Sequence, residues 1–201
     1  MYRAVTWLAL RRGIQLDDEE SLVRLAQTAE IFFQQNDDGL QRVYCQGHDI
    51  TEEIRSPGIS RAVSKVAAIQ GVREALVDAQ RRLASGRDVV MDGRDIGTVV
   101  LPEAECKIFL TAAPEERARR RMEERKGRDE GGTLEGIKRD IIRRDLEDTN
   151  RKTGPLVQAG DSVLIDTTSM SLREAIDETL RIVRSALKGA AEYTPGMESR
   201  Q

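Results

Sequence analysis

Apolar residues recur along this chain at three spacings, and each spacing predicts a different element. Residues 2–12 read as an amphipathic helix that stops at Gly13, a usual residue just past a helix end. Asp17 with Glu20 reads as a capping pair opening a helix to about Ala29. The texture then turns extended. Ile31-Phe32-Phe33, the turn Asn36-Asp37-Asp38-Gly39, and Val43-Tyr44 predict a β-hairpin, with a short third strand at 48–50. Thr51 restarts helix, Pro57 breaks it, and helices over 58–69 and 71–85 close at Gly86.

The second half alternates short apolar runs with polar helices. Runs at 88–92, 106–110 and 162–166 read as buried parallel strands. Between them, Pro114-Glu115-Glu116 opens one helix, Thr133 caps another to about Asn150, and Ser171 with Glu174 boxes a last one to about Leu187. Gly127, Gly131 and Gly132 interrupt the middle stretch. Strands separated by helices predict an α/β layer fold with a parallel sheet, carrying the hairpin as an insert.

Composition narrows the function. The 201 residues hold 32 basic and 35 acidic side chains, a net charge of −3, which argues against a general nucleic-acid clamp. No apolar run approaches the ~20 residues that span a bilayer. Two distant cysteines, Cys45 and Cys106, make neither a disulfide framework nor a zinc site, so a cytoplasmic location is expected. His48 is the one histidine and lies at a turn, which disfavours Ser-His-Asp chemistry. Trp7 with Leu8 reads as core packing. Of the basic residues, 26 are Arg, whose planar fork grips phosphate with two bonds. A GC-rich genome would also raise that count, so position must decide.

Three charged constellations stand out. Asp92-Gly93-Arg94-Asp95 ends the first parallel strand, where α/β sheets hold their ligands. It reads either as a salt-bridged turn or as an Arg for phosphate beside an Asp for a polar group. Arg144, Asp148 and Arg151 share one helix face at offsets 0, 4 and 7, continuing the apolar stripe of Leu134, Ile137 and Ile141. That face is either solvated or an anion pocket. Arg117, Arg119, Arg120 and Arg121, interleaved with acids, read equally as an exposed ion-paired helix or as a phosphate site.

Taken together, several segments carry a family resemblance. Ser56-Pro57, Ala62-Val63-Ser64-Lys65-Val66-Ala67-Ala68 and Val72-Arg73-Glu74-Ala75-Leu76 resemble bacterial cytidylate kinases. So do Met91 through Val100, Lys107 through Ala112, Arg144-Asp145 through Asn150-Arg151, and Ile165-Asp166-Thr167-Thr168. The resemblance implies a P-loop NTPase-type parallel sheet core of the nucleoside monophosphate kinase kind, with a small antiparallel β insert. It implies a kinase core over 1–26, 63–125 and 151–187, a nucleotide-binding insert over 27–62, and a lid over 126–150. Residues 188–201 are left as a disordered tail. The activity implied is transfer of the ATP γ-phosphate to CMP or dCMP by a cytoplasmic monomer needing ATP and Mg²⁺, with no nucleic-acid or membrane partner.

Residue roles follow from the same resemblance. Ser64, Arg73 and Asp95 would meet the cytosine, Arg3, Arg94 and Arg151 the phosphate, and Arg144 and Asp148 the sugar. Asp92 joins this CMP-binding set, and Arg94, Arg144 and Arg151 stand nearest the transfer. A uridylate/cytidylate or adenylate kinase is the neighbouring reading, but Ser64 with Asp95 suits an amino group and so favours cytosine. One departure is plain. The family opens on a strand and a G-x-x-x-x-G-K-[ST] loop for the donor phosphates, and no Gly-Lys pair occurs here. Met1 matches an internal Met of the pattern. The expectation is therefore a sequence missing its first two core strands, its first helix and that loop, with bare strand edges near 88–92 and 106–110. A non-catalytic CMP-binding fragment is the alternative.

Overall fold

A computed structural model of the chain describes residues 1–37, 39–126 and 132–192. They divide into two compact units, Met1–Asp92 with Asn150–Pro155, and Gly93–Thr149 with Leu156 onward.

The first unit is helical, with a small sheet at one end. Helix α1 (Tyr2–Arg11) buries Ala4, Val5, Leu8 and Ala9. It ends as the glycine predicts: Gly13 adopts φ 68°, and the Ile14 amide donates back to Ala9 O at 2.9 Å. That closing bond satisfies a carbonyl the helix would otherwise leave open, and Ile14 folds onto the core. Helix α2 (Glu19–Thr28) is capped one residue later than expected. Asp18, not Asp17, accepts from the Ser21 amide at 3.0 Å. The two aspartates are equivalent by type, and only Asp18 leaves the three-residue reach to an orphan N–H.

Strands β1 (Ile31–Gln35) and β2 (Gln41–Cys45) pair antiparallel, with Ile31 opposite Cys45. Gln46 and Gly47, both at positive φ, make the two-residue turn into β3 (His48–Asp49). Only a short 3₁₀ turn, Glu53–Arg55, follows Thr51. Helices α3 (Pro57–Ala68) and α4 (Gln70–Ala84) then come at their expected places. The core joins Val5 and Leu8 to Leu22, Leu25, Val66, Val72 and Leu76, sealed by Cys45 from β2 and Ile50 just past β3. Each such side chain contributes roughly 1.5–3 kcal/mol by leaving water.

The expected strand at 88–92 does not form. A strand exists only through a hydrogen-bonded neighbour, and among the described residues none pairs with this run. Val90 is fully exposed and Val89 partly so.

In the second unit, β4 (Ile108–Thr111) and β5 (Val163–Asp166) pair in parallel, Ile108 opposite Val163. Between them run α5 (Pro114–Lys126) and α6 (Leu134–Thr149). Thr133 caps α6 as expected, its hydroxyl accepting from the Gly136 amide. Helix α7 (Leu172–Glu192) opens with the Ser171–Glu174 box, the Glu174 carboxylate accepting from the Ser171 amide at 2.8 Å. It runs past the expected end at Leu187. Residues 193–201 of the expected tail, and 127–131 of the expected lid, lie outside the described residues. Ile165 and Ile182 are buried, whereas Leu110, Val163, Leu164, Leu172, Ile176 and Leu180 are exposed.

Candidate functional site

The residues singled out by sequence fall into both units. In the first, α1 delivers Arg3 at its opening turn. The Arg3 Nη1 donates to Ile54 O at 2.7 Å and to Ser60 Oγ at 3.0 Å. Ser64 lies one turn beyond Ser60 on α3, half-buried. Arg73 is buried on α4. Its Nη1 donates to Ala67 O at 3.3 Å, and its guanidinium sits 5.4 Å over the Tyr2 ring. The carbonyl and the aromatic face both favour a cation. Thus α1, α3 and α4 carry Arg3, Ser64 and Arg73, with Tyr2 a neighbour of Arg73 that the sequence reading left out. Asp92 is exposed.

Arg151 corrects the stripe reading. Helix α6 ends at Thr149, so Arg151 is not on its face. Gly154, at φ 58°, turns the chain instead, and Arg151 Nη2 closes that turn on Gly154 O at 2.9 Å. The offset rule holds only while the helix lasts.

The second unit holds the densest charge. Asp148, at the inner end of α6, is 3% exposed. It accepts from Arg94 Nε at 2.8 Å, across 54 residues of sequence. Arg144 Nε lies 3.9 Å from the same oxygen, an ion pair too long for a hydrogen bond. That Nε is buried, with no hydrogen-bond partner among the described residues. Desolvation lowers the Arg144 pKa most, the Arg94 charge adds to the lowering, and Asp148 opposes it. Two guanidiniums thus share one carboxylate. The surplus positive charge, partly removed from water, is what an incoming phosphate dianion would neutralise.

Asp95 is also buried, at the start of a feature the sequence did not signal. From Ile96 to Val100 the backbone winds as a π turn, the Val100 amide reaching Asp95 O at 3.2 Å and the Leu101 amide reaching Ile96 O at 2.7 Å. Such wide turns displace a helix register by one residue and concentrate at functional positions. The apolar string Ile-Gly-Thr-Val-Val looks like a strand, and nothing local marks it otherwise.

On α5, Arg117, Arg119, Arg120 and Arg121 each have a protein partner. Arg117 grips Asp145 with two bonds and also reaches Ala112 O. Arg120 donates to Glu116, Thr167 O and Met170 O. Arg119 pairs with Glu116, and Arg121 stands 3.7 Å from Glu124. The ion-paired helix is the reading these contacts support.

Comparison with known proteins agrees with the residues that carry the resemblance. The family model described as "Cytidylate kinase" matches residues 1–185. The chain belongs to the cytidylate kinase family. A protein named cytidylate kinase from Pelotomaculum thermopropionicum is 51% identical over 176 residues, 88% of this chain and 78% of that one. One from Caldanaerobacter subterraneus is 48% identical over 189 residues, 94% of this chain and 82% of its own. A third, from Enterococcus faecalis, is 46% identical over 184 residues, covering 92% and 81%. This cytidylate kinase family chain has no described helix long and apolar enough to cross a membrane.

Proposed function

We propose that this kinase transfers the γ-phosphate of ATP to CMP or dCMP, giving CDP or dCDP. The observation carrying the reading is the buried Asp148 shared by Arg94 and Arg144, an arrangement with cationic charge left over for a phosphate. Arg3 and Arg151 complete the phosphate set. Asp95 and Ser64 take the cytosine 4-amino group, which donates where the uracil carbonyl could only accept. Arg73 holds the ring edge, Asp92 belongs to the same CMP-binding set, and Asp148 with Arg144 orients the sugar.

The chemistry asks little of the protein beyond placement. The acceptor oxygen of CMP is already anionic, so no general base is needed. Arg94, Arg144 and Arg151 offset the charge that builds between donor and acceptor, and residues 126–150 act as the lid that keeps water out. Mg²⁺ would add charge neutralisation on the donor phosphates. Among the described residues no group of three His, Cys, Asp or Glu side chains could hold a metal ion, so no step is assigned through one.

The test pairs calorimetric binding with an ADP-release assay on the same protein. CMP and dCMP should bind, with UMP weaker by about tenfold or more, and Asp95→Ala should erase that preference. Arg94→Ala should weaken CMP by roughly ten- to hundredfold, as for one lost hydrogen bond to a charged group. Equal affinity for UMP and CMP would remove the cytosine assignment. CMP binding without ADP formation from ATP and Mg²⁺ would remove the transfer and leave a CMP-binding protein.

A further inference from the structure

Arg144 is a weakly anchored cation for one so largely covered, its side chain 30% exposed. Its buried Nε makes no hydrogen bond among the described residues. Its one ion pair, with Asp148, lies four residues along the same helix and so turns with that helix. Its location is therefore set by the rotation and height of α6, not by its own contacts. What fixes α6 is found one residue on. Asp145 takes both ends of the Arg117 fork, at 3.1 Å from Nη1 and 2.5 Å from Nη2. The same guanidinium sends Nε to Ala112 O, just past the end of β4, at 2.9 Å. Both partners are about two-thirds covered.

A planar fork used on three atoms at once admits a narrow range of orientations. One side chain thereby ties the end of β4 to the inner turn of α6. The second cross-helix pair, Lys138 with Glu115, lies nearer the start of α6, and Glu115 is largely exposed. Such a pair restrains little.

We propose that Arg117 is a positioning residue of this kinase, setting Arg144 for substrate through its bidentate grip on Asp145. The inference takes from the CMP reading above only the ligand that Arg144 meets. Arg117 itself touches no substrate.

A double-mutant cycle on the full chain tests it. Arg117→Lys keeps the charge and most of the stem but loses the fork, and Arg117→Ala removes both. Each should weaken CMP binding, measured by calorimetry, by about tenfold, the size usual for coupled neighbours. In an Arg144→Ala background the same changes should cost less than about twofold, because the positioned group is gone. Glu115→Gln should leave the affinity unchanged. A purely structural Arg117 would give equal losses in both backgrounds, and that result overturns the proposal. The Nε–H resonance of Arg144 in the ligand-free protein gives a second reading that needs no CMP. It should shift in Arg117→Lys and Asp145→Asn and hold still in Glu115→Gln. No binding of CMP by the unaltered chain would remove the CMP reading alone, and the resonance would then decide: an unmoved signal in Arg117→Lys overturns the positioning role.

Discussion

The two units finish their cores to different degrees. In the first, four helices and a three-stranded sheet bury Val5, Leu22, Cys45, Ile50, Val66 and Val72 completely. In the second, the buried apolar side chains among the described residues are fewer and scattered: Val100, Ala112, Ala118, Ile137, Ile165 and Ile182. Meanwhile the strands there turn Leu110, Val163 and Leu164 outward, and α7 does the same with Leu172, Ile176, Leu180 and Leu187. The difference follows from geometry. A helix needs one covered stripe, which two or three neighbours supply. A parallel sheet needs both faces covered, and its residues are apolar on both sides for that reason. Among the described residues β4 and β5 have only each other as sheet neighbours.

The sharpest way to break that comparison is to delete a leucine from each unit. Leu76, 1% exposed on α4, should cost about 2–5 kcal/mol on truncation to Ala, read as a lower urea midpoint. Leu110, 61% exposed on β4, should change stability by no more than about 0.5 kcal/mol. A large loss from Leu110→Ala would mean that its outward face is covered in solution, and the contrast between the units would fall.

A smaller effect sharpens the helical side. Gly71 lies in the first turn of α4, where a Cβ would stand 2.7 Å from Val23 Cγ2 and 3.2 Å from Cγ1 on α2. Exchanging a helical Gly for Ala normally gains roughly 0.5–1 kcal/mol. Here the obstacle is a β-branched side chain with little rotamer freedom. Overpacking of roughly 1–3 kcal/mol should exceed the gain, so Gly71→Ala should lower the thermal midpoint. Adding Val23→Ala should recover most of that loss. If the single variant is as stable as the parent, the α2–α4 contact is looser than the rest of the core.

What could be read in advance divides along the same line. Elements whose cause is local were legible: the Ser171–Glu174 box, the Thr133 cap, Gly13 after α1, and the Asn36–Gly39 turn. Strands, whose cause is a neighbour, were legible only where one pairs with them: the runs at 106–110 and 162–166 form β4 and β5, and the run at 88–92 does not form. Residues 88–92 have a strand's composition but no strand partner among the described residues, and composition cannot supply one. Site residues behaved alike. Spacing put Arg144 and Asp148 on one face because four residues make about one helical turn. It could not show Arg94 reaching Asp148, nor Arg117 reaching Asp145 across 28 residues. The helix-face reading of Arg151 failed for the opposite reason, since the spacing rule was carried two residues past the end of α6.

The smallest effect tests whether local causes weigh alike in both units. Asp18 caps α2 in the first, and Glu174 boxes the start of α7 in the second. Hydrogen bonds from Ser21 hold the Asp18 carboxyl below its ordinary value of 3.8, and those from Ser171 hold Glu174 below its ordinary 4.5. The sign follows from which form the fold prefers. Each carboxylate binds its proton less readily when folded, so its contribution is complete above the ordinary value. It fades as pH falls through that value toward the lower folded one. Thermal midpoints of the parent, Asp18→Ala and Glu174→Gln should therefore differ most near neutral pH and converge toward pH 3. The Glu174 gap should begin to close at the higher pH of the two. A gap that stayed constant from pH 7 to 3 would show that the cap acts through its shape and not its charge. A gap at Asp18 alone would show that α7 takes its stability from other contacts than its opening turn.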